Sequence, residues 1–151
     1  MEKVLVSACL LGIPCRYDGK SVGDPAFCKM LNENMTVIPF CPEIYGGLPT
    51  PRTPAERVGE RILTKDGKDV TSEYVRGAEE AVKLCRHLGI RFALLKSRSP
   101  SCGNGVIYDG TFSGALTEGS GVSAQMLREN GVEVYSSDEV SLLLQALAKQ
   151  D

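Results

Sequence analysis

Three short apolar runs, each leading to a cysteine set among turn-forming residues, constrain this chain more than any other feature. Val4-Leu5-Val6 runs into Ser7-Ala8-Cys9, and Thr36-Val37-Ile38-Pro39-Phe40 runs into Cys41-Pro42-Glu43. Phe92-Ala93-Leu94-Leu95 precedes the loop Ser97-Arg98-Ser99-Pro100-Ser101-Cys102-Gly103. Such runs read as buried strands, and Pro, Gly or Ser breaks each one close to its thiol. Helical segments between them argue for parallel pairing, so the carboxyl ends would share the sheet edge at which open α/β folds place their ligands. Cysteines far apart in sequence would then meet.

The remaining segments supply the helices. Asp24-Pro25 predicts an N-cap with proline at the first helical position, opening a short helix through Phe27, Met30 and Leu31. Thr71 or Ser72 is expected to cap a long helix to about Leu88, with Val75, Ala78, Val82, Cys85 and Leu88 on its apolar face and Gly89 ending it. Ser120 is expected to cap a helix through Val122, Met126 and Leu127 that stops at Asn130-Gly131. Val132-Glu133-Val134-Tyr135 reads as a fourth strand, and Ser136 with Glu139 has capping-box spacing ahead of a last helix striped by Val140, Leu143, Leu144 and Leu147. Asp66-Gly67, within residues 62–70, and Asp109-Gly110, within residues 106–112, are hairpin signals. Residues 43–54, with three prolines and two glycines, are expected to be an ordered loop over the sheet edge, neither helix nor central strand. The fold class expected is α/β: one domain of 151 residues with a mostly parallel, Rossmann- or flavodoxin-like sheet flanked by helices and decorated by small hairpins.

Composition narrows the partner. With 17 Lys plus Arg against 19 Asp plus Glu, the net charge of -2 gives no strong nucleic-acid signal. A small molecule is the expected partner. The apolar run near Met1 is too short for a secretory signal and no segment approaches bilayer-spanning length, so a cytoplasmic protein without membrane association is expected. Six cysteines in a reducing compartment are not a disulfide framework. Cys28 and Cys85 read as apolar fillers of helices, and His87, the single histidine, as a surface residue near a helix C-terminus.

Cys9, Cys41, Cys102 and also Cys15 are left for chemistry. Thiolates converging without histidine suit zinc or an iron-sulfur cluster, and their wide spacing suits a site built by the fold rather than a zinc knuckle. Cys15 would either close the site as a fourth ligand or lie beside an open position. Glu43 would stand near such a position as a general acid or base, with the Ser99 and Ser101 hydroxyls to orient substrate or relay a proton. The loop that carries Cys15 also offers Arg16 and Tyr17, and Arg52 is available to an anionic or carbonyl-bearing ligand. On residue chemistry alone, a structural cysteine-ligated metal protein and a cluster-free enzyme with Cys102 or Cys9 as nucleophile both stay open.

Ser7-Ala8-Cys9-Leu10-Leu11-Gly12 with Cys15-Arg16-Tyr17-Asp18-Gly19, Cys41-Pro42-Glu43 with Gly46-Gly47-Leu48-Pro49-Thr50-Pro51-Arg52, and Lys96-Ser97-Arg98-Ser99-Pro100-Ser101-Cys102-Gly103 together resemble the motifs of the TudS-type thiouracil desulfidases. The resemblance covers nearly the whole chain. It implies a [4Fe-4S] cluster held by three cysteines, with the remaining iron free to take the sulfur of a thiolated uracil, which leaves as hydrogen sulfide without net redox change. It further implies Cys9, Cys41 and Cys102 as ligands, Glu43 as acid/base and a serine of residues 99–101 as helper, Ser99 before Ser101. Cys15 matches the pattern too, but a fourth thiolate would close the open iron, so a structural or neighbouring role is expected for it.

Overall fold

The computed structural model describes residues 1–20 and 23–150. Four parallel strands, β1 (Lys3–Ser7), β2 (Thr36–Phe40), β5 (Phe92–Leu95) and β8 (Glu133–Ser136), form a sheet in the order β2-β1-β5-β8. Their alternation explains the layers. Val4, Val6, Phe92 and Leu94 face one side, where Leu31 of α1 (Pro25–Asn34) and Leu143 and Leu147 of α5 (Val140–Ala148) bury them. Leu5, Ala93, Leu95 and Val134 face the other, against Ala81, Val82 and Cys85 of α3 (Thr71–Leu88) and Ala124 and Leu127 of α4 (Val122–Glu129). Pro39, which cannot donate to a ladder on both sides, lies on the edge strand β2. The chain leaves β1 toward β2 and leaves β5 toward β8, so the connections part between β1 and β5. That crevice is where such sheets bind ligands.

Several local expectations hold. Asp24 caps α1 through the Ala26 N–H, Gly89 ends α3 in the left-handed region at φ 68°, and Ser136 and Glu139 form the capping box, on a 3-10 turn that leads into α5. Others need correction. Thr71 lies inside α3, Val70 occupies the cap position, and the Thr71 hydroxyl accepts the Ile62 N–H instead. Gly121, not Ser120, precedes α4, and the Ser120 hydroxyl accepts from Arg128. The chain reverses at Asp66-Gly67 as expected, with the antiparallel bridge Leu63 to Asp69 and the Thr64 and Val70 N–H groups donating to the Lys68 and Ile62 carbonyls at 2.8 and 2.9 Å, but an unexpected hairpin precedes it, pairing β3 (Ala55–Val58) with β4 (Arg61–Thr64) around Gly59-Glu60. The second expected hairpin pairs β6 (Val106–Tyr108) with β7 (Leu116–Glu118), so the chain returns later than residue 112.

The proline-rich stretch also begins differently from expectation. Pro42–Tyr45 forms a one-turn helix, α2, because Pro42 stands at the first helical position, where its missing N–H costs nothing. α2 lies backbone to backbone on α3. A Cβ on Gly77 would come within 2.0 Å of the Pro42 carbonyl oxygen, and one on Gly46 within 2.0 Å of the Glu73 oxygen. Gly77→Ala is therefore expected to push α2 off its seat and to cost about 1–3 kcal/mol. A fall of several degrees in Tm would record it, and an unchanged Tm would show that α2 has room to move.

Candidate active site

Strand ends assemble the site. Cys9 lies in the 3-10 turn Ala8–Leu11 directly after β1, Cys41 at the cap of α2 directly after β2, and Cys102 in the loop after β5. Together with Cys15 they ring a cavity of about 50 Å3, completed by Ser7, Phe40, Pro42, Arg16, Lys96 and Ser99. Cys9, Cys15 and Cys102 are buried and Cys41 is partly so, and all are free thiols. The remaining pair is elsewhere, as expected. Cys85 is packed in the core, where burial pushes its thiol up to about 11, and Cys28 on α1 is half-buried with its thiol toward the Leu10 carbonyl at 3.7 Å.

Cys15, Cys41 and Cys102 are held protonated by their surroundings. Hydrogen bonding to Cys15 and burial raise the Cys41 thiol far above its ordinary range. For Cys15 the hydrogen bond with Cys41 favours the thiolate, but the one with Cys9 and burial outweigh it and leave the thiol raised. Burial pushes Cys102 up to about 12 against the lowering influence of the Ser7 and Ser101 hydroxyls. A site of this kind releases protons when a Lewis acid arrives. Among the described residues, no three His, Cys, Asp or Glu side chains are gathered closely enough to hold a single metal ion. The thiols surround a void with no carboxylate or imidazole of the described residues at its wall, and that sulfur donor set fits a polynuclear iron-sulfur group better than a lone zinc.

Arg16, Lys96 and Ser99 line both this void and a second, larger cavity of about 420 Å3. Glu43, Tyr17, Glu56, Lys65, Tyr74, Tyr108 and Phe112 also line the larger one. Glu43 is fixed from both sides. The Tyr74 hydroxyl donates to its Oε1 at 2.6 Å, and Arg52 donates through Nη2 to its Oε2. Burial, reinforced by the Glu43 charge, keeps the Tyr74 phenol protonated far above its usual range. Arg52 Nη2 also donates to the Cys15 carbonyl at 3.0 Å, and Nη1 donates to the Pro49 carbonyl and the Thr50 hydroxyl.

The sequence candidates thus separate. Cys9, Cys15, Cys41, Cys102, Glu43, Ser99, Arg16 and Tyr17 come together around two connected cavities. Ser99 Oγ accepts the N–H groups of Ser101 and Cys102, so it also shapes the cysteine loop. Two candidates are placed otherwise. Ser101 is 1% exposed, and although its hydroxyl acts on the neighbouring Cys102 thiol it is bonded to Ser123 on α4 at 2.9 Å and lines neither cavity. Arg52, expected to face a ligand, has its side chain 5% exposed behind Glu43. Tyr74, Lys96, Tyr108 and Phe112 were missed. Lys96 was readable as a cation at the end of a strand that leads to a site, but no local signal distinguishes the inward-facing Tyr74 from the neighbouring core stripe of α3.

This geometry finds its counterpart among known proteins. The model of a family described as 2-thiouracil desulfurase matches residues 4–139. The chain belongs to the 2-thiouracil desulfurase family. A second comparison agrees in extent: an uncharacterized protein of Bacillus subtilis (strain 168), YbbK, is 40% identical over 151 residues, covering 93% of this chain and 99% of the relative. The solved structure of the [4Fe-4S]-dependent thiouracil desulfidase TudS is 52% identical with a TM-score of 0.93, over 98% of this chain and 99% of that one. Membership in the desulfurase family and this structural likeness bear out the expected α/β sheet flanked by helices. Among the described residues, no helix is long and apolar enough to cross a membrane.

Proposed function

We propose that this protein is a [4Fe-4S]-dependent desulfidase that converts thiolated uracil and water to uracil and hydrogen sulfide. The observation that carries the reading is the all-thiol void joined, through Arg16, Lys96 and Ser99, to a cleft with Glu43 on its wall. Cys9, Cys41 and Cys102 would hold the cluster, each fixed at the end of a different strand. When bound, a cluster with three cysteine ligands supplies a soft Lewis acid that prefers the thiocarbonyl sulfur over the ring oxygens.

The chain's own residues handle the water and the protons. Glu43 takes one proton from water as the water oxygen bonds to the thiocarbonyl carbon and gives it to the departing sulfur as the carbon-sulfur bond breaks; the second proton, left on the new hydroxyl, follows through the same carboxylate as the carbonyl forms, so both protons of water leave in hydrogen sulfide. No electrons are gained or lost, so no reductant is needed. Tyr74 and Arg52, both mostly buried, hold the two carboxylate oxygens of Glu43 and keep it from rotating away. Ser99 presents its hydroxyl where the cavities join, and Arg16, Tyr17 and Lys96 line the path a substrate takes. A thiolated pyrimidine, flat and edged with N–H and carbonyl groups, suits a cleft of about 420 Å3 whose lining sets the aromatic rings of Tyr17, Tyr74, Tyr108 and Phe112 beside polar side chains such as Arg16, Lys96 and Ser99.

Anaerobic reconstitution with iron and sulfide tests this directly. About four irons per chain, followed by release of uracil and sulfide in equal amounts from 2-thiouracil, is the expected result. A cluster-loaded protein that leaves 2-thiouracil intact would overturn the reading.

A further inference from the structure

We propose that Phe112 is the platform on which the pyrimidine ring of the thiolated substrate stacks, and that the buried carboxylate of Glu56 holds this platform in place; the proposal rests on the desulfidase reading above. Phe112 belongs to the segment between β6 and β7 and lines the larger cleft together with Tyr108, Glu43 and Ser99. Its φ of 56° is in the left-handed region. Glycine or asparagine is the usual occupant of that region in a turn, because a bulky side chain is strained there. A strained residue persists only where its surroundings over-determine it, and such residues gather at ligand clamps.

Glu56 provides that determination. It sits on β3, only 8% exposed, and its Oε1 accepts the N–H of Gly110 at 2.9 Å and that of Phe112 at 3.2 Å. Gly110 reinforces the contact, since a Cβ there would meet Val58 of β3 at 2.7 Å, and its φ is 94°. A turn that served only to join two short strands would need neither a buried carboxylate nor an aromatic ring at its strained position.

The ring's neighbours indicate what it meets. Tyr17 is already covered by the Arg16 guanidinium, 5.8 Å from its centroid. Phe112 carries no polar atom and offers a plain π-face. The thiocarbonyl sulfur lies in the ring plane and water reaches its carbon from one face, so the opposite face stays free for stacking throughout the reaction. A stacking platform therefore selects flat, aromatic thiolated rings over puckered ones, and tolerates sulfur at either carbonyl position.

The test compares 2-thiouracil with 5,6-dihydro-2-thiouracil, whose ring is saturated and puckered, on cluster-loaded wild type, F112G, F112Y and E56A. Glycine suits the backbone at this position, so F112G is expected to fold with an unchanged or higher Tm. Its KM for 2-thiouracil should rise by about 10-fold, with kcat changed less and the KM for the dihydro compound little affected. F112Y, which keeps the ring, should return KM toward wild type, and E56A should reproduce the selective rise. Wild type that leaves both compounds intact would sink the desulfidase reading itself. An active wild type with unchanged KM values in F112G, or with both values raised alike, would overturn the stacking role and leave that reading standing.

Discussion

Replacing Glu43 by glutamine is expected to slow sulfur release by about 10²–10⁴-fold while the iron content of the protein stays at the wild-type level. The reasoning separates two tasks of the side chain. As a carboxylate it can take a proton from water, and glutamine cannot. As an anchor it accepts hydrogen bonds from Tyr74 and Arg52, and glutamine can keep these by accepting from Arg52 and donating to the phenol oxygen. The Arg52 side chain is 5% exposed and that of Glu43 18%, so removing the partner altogether has a different outcome. Glu43→Ala leaves a buried guanidinium without its anion, at a cost of about 3–5 kcal/mol, and mixes a folding defect into the kinetics. Single-turnover sulfide release with parallel iron determination distinguishes the effects. A glutamine variant as fast as wild type would remove Glu43 from proton transfer and turn attention to the Ser99 hydroxyl.

Much of this site was legible because its main determinant is local. A run such as Val4-Leu5-Val6 can only be a buried strand in a chain of this kind, and a thiol two or three residues past its end must lie at the carboxyl edge of the sheet. Once the sheet is parallel, the meeting of Cys9 and Cys41 follows from topology, and Cys102, seven residues past Leu95, is brought to them by the turn that Ser99 closes. The helix ends were legible for the same reason: Gly89 and the Ser136 to Glu139 box act through their own backbone neighbours. What was hidden depends on tertiary contact. β3 reads Ala55-Glu56-Arg57-Val58, with too few apolar residues to announce a strand, because the inward-facing residue is a glutamate that serves the loop 109–115. The turn at Asp66-Gly67 was legible, whereas the reversal just before it at Gly59-Glu60 was not, since β3 gave no strand signal to pair. α2 was concealed by the prolines that follow it, and Arg52 looked like a free cation because its partner, Glu43, is brought to it only by the folded loop.

Alanine at Cys9, Cys41 or Cys102 is expected to abolish cluster assembly, whereas Cys15→Ala is expected to retain about four irons per chain and measurable sulfide release. All four thiols line the same void, so proximity alone does not rank them. Their backbones do. Cys9 and Cys41 follow β1 and β2 at once, and Cys102 is fixed by its own N–H to Ser99 and by close packing of Gly121, whose added Cβ would lie 2.8 Å from the Cys102 nitrogen. These three are held by the sheet and its flanking helices. Cys15 sits in the connection between the 3-10 turn after β1 and α1, and the surrounding structure engages its carbonyl, which accepts from Arg52 at 3.0 Å and from the Cys41 thiol at 3.8 Å. Its thiol lies beside Cys9 and Cys41, where it can donate to a ligand sulfur without replacing it. A fourth thiolate would also leave no iron for substrate. Anaerobic iron and sulfide determination with absorption spectra on the four variants decides the matter. Loss of the cluster from Cys15→Ala, with its retention in any one of the other three, would make Cys15 a ligand and require the open position to lie at the spared cysteine instead.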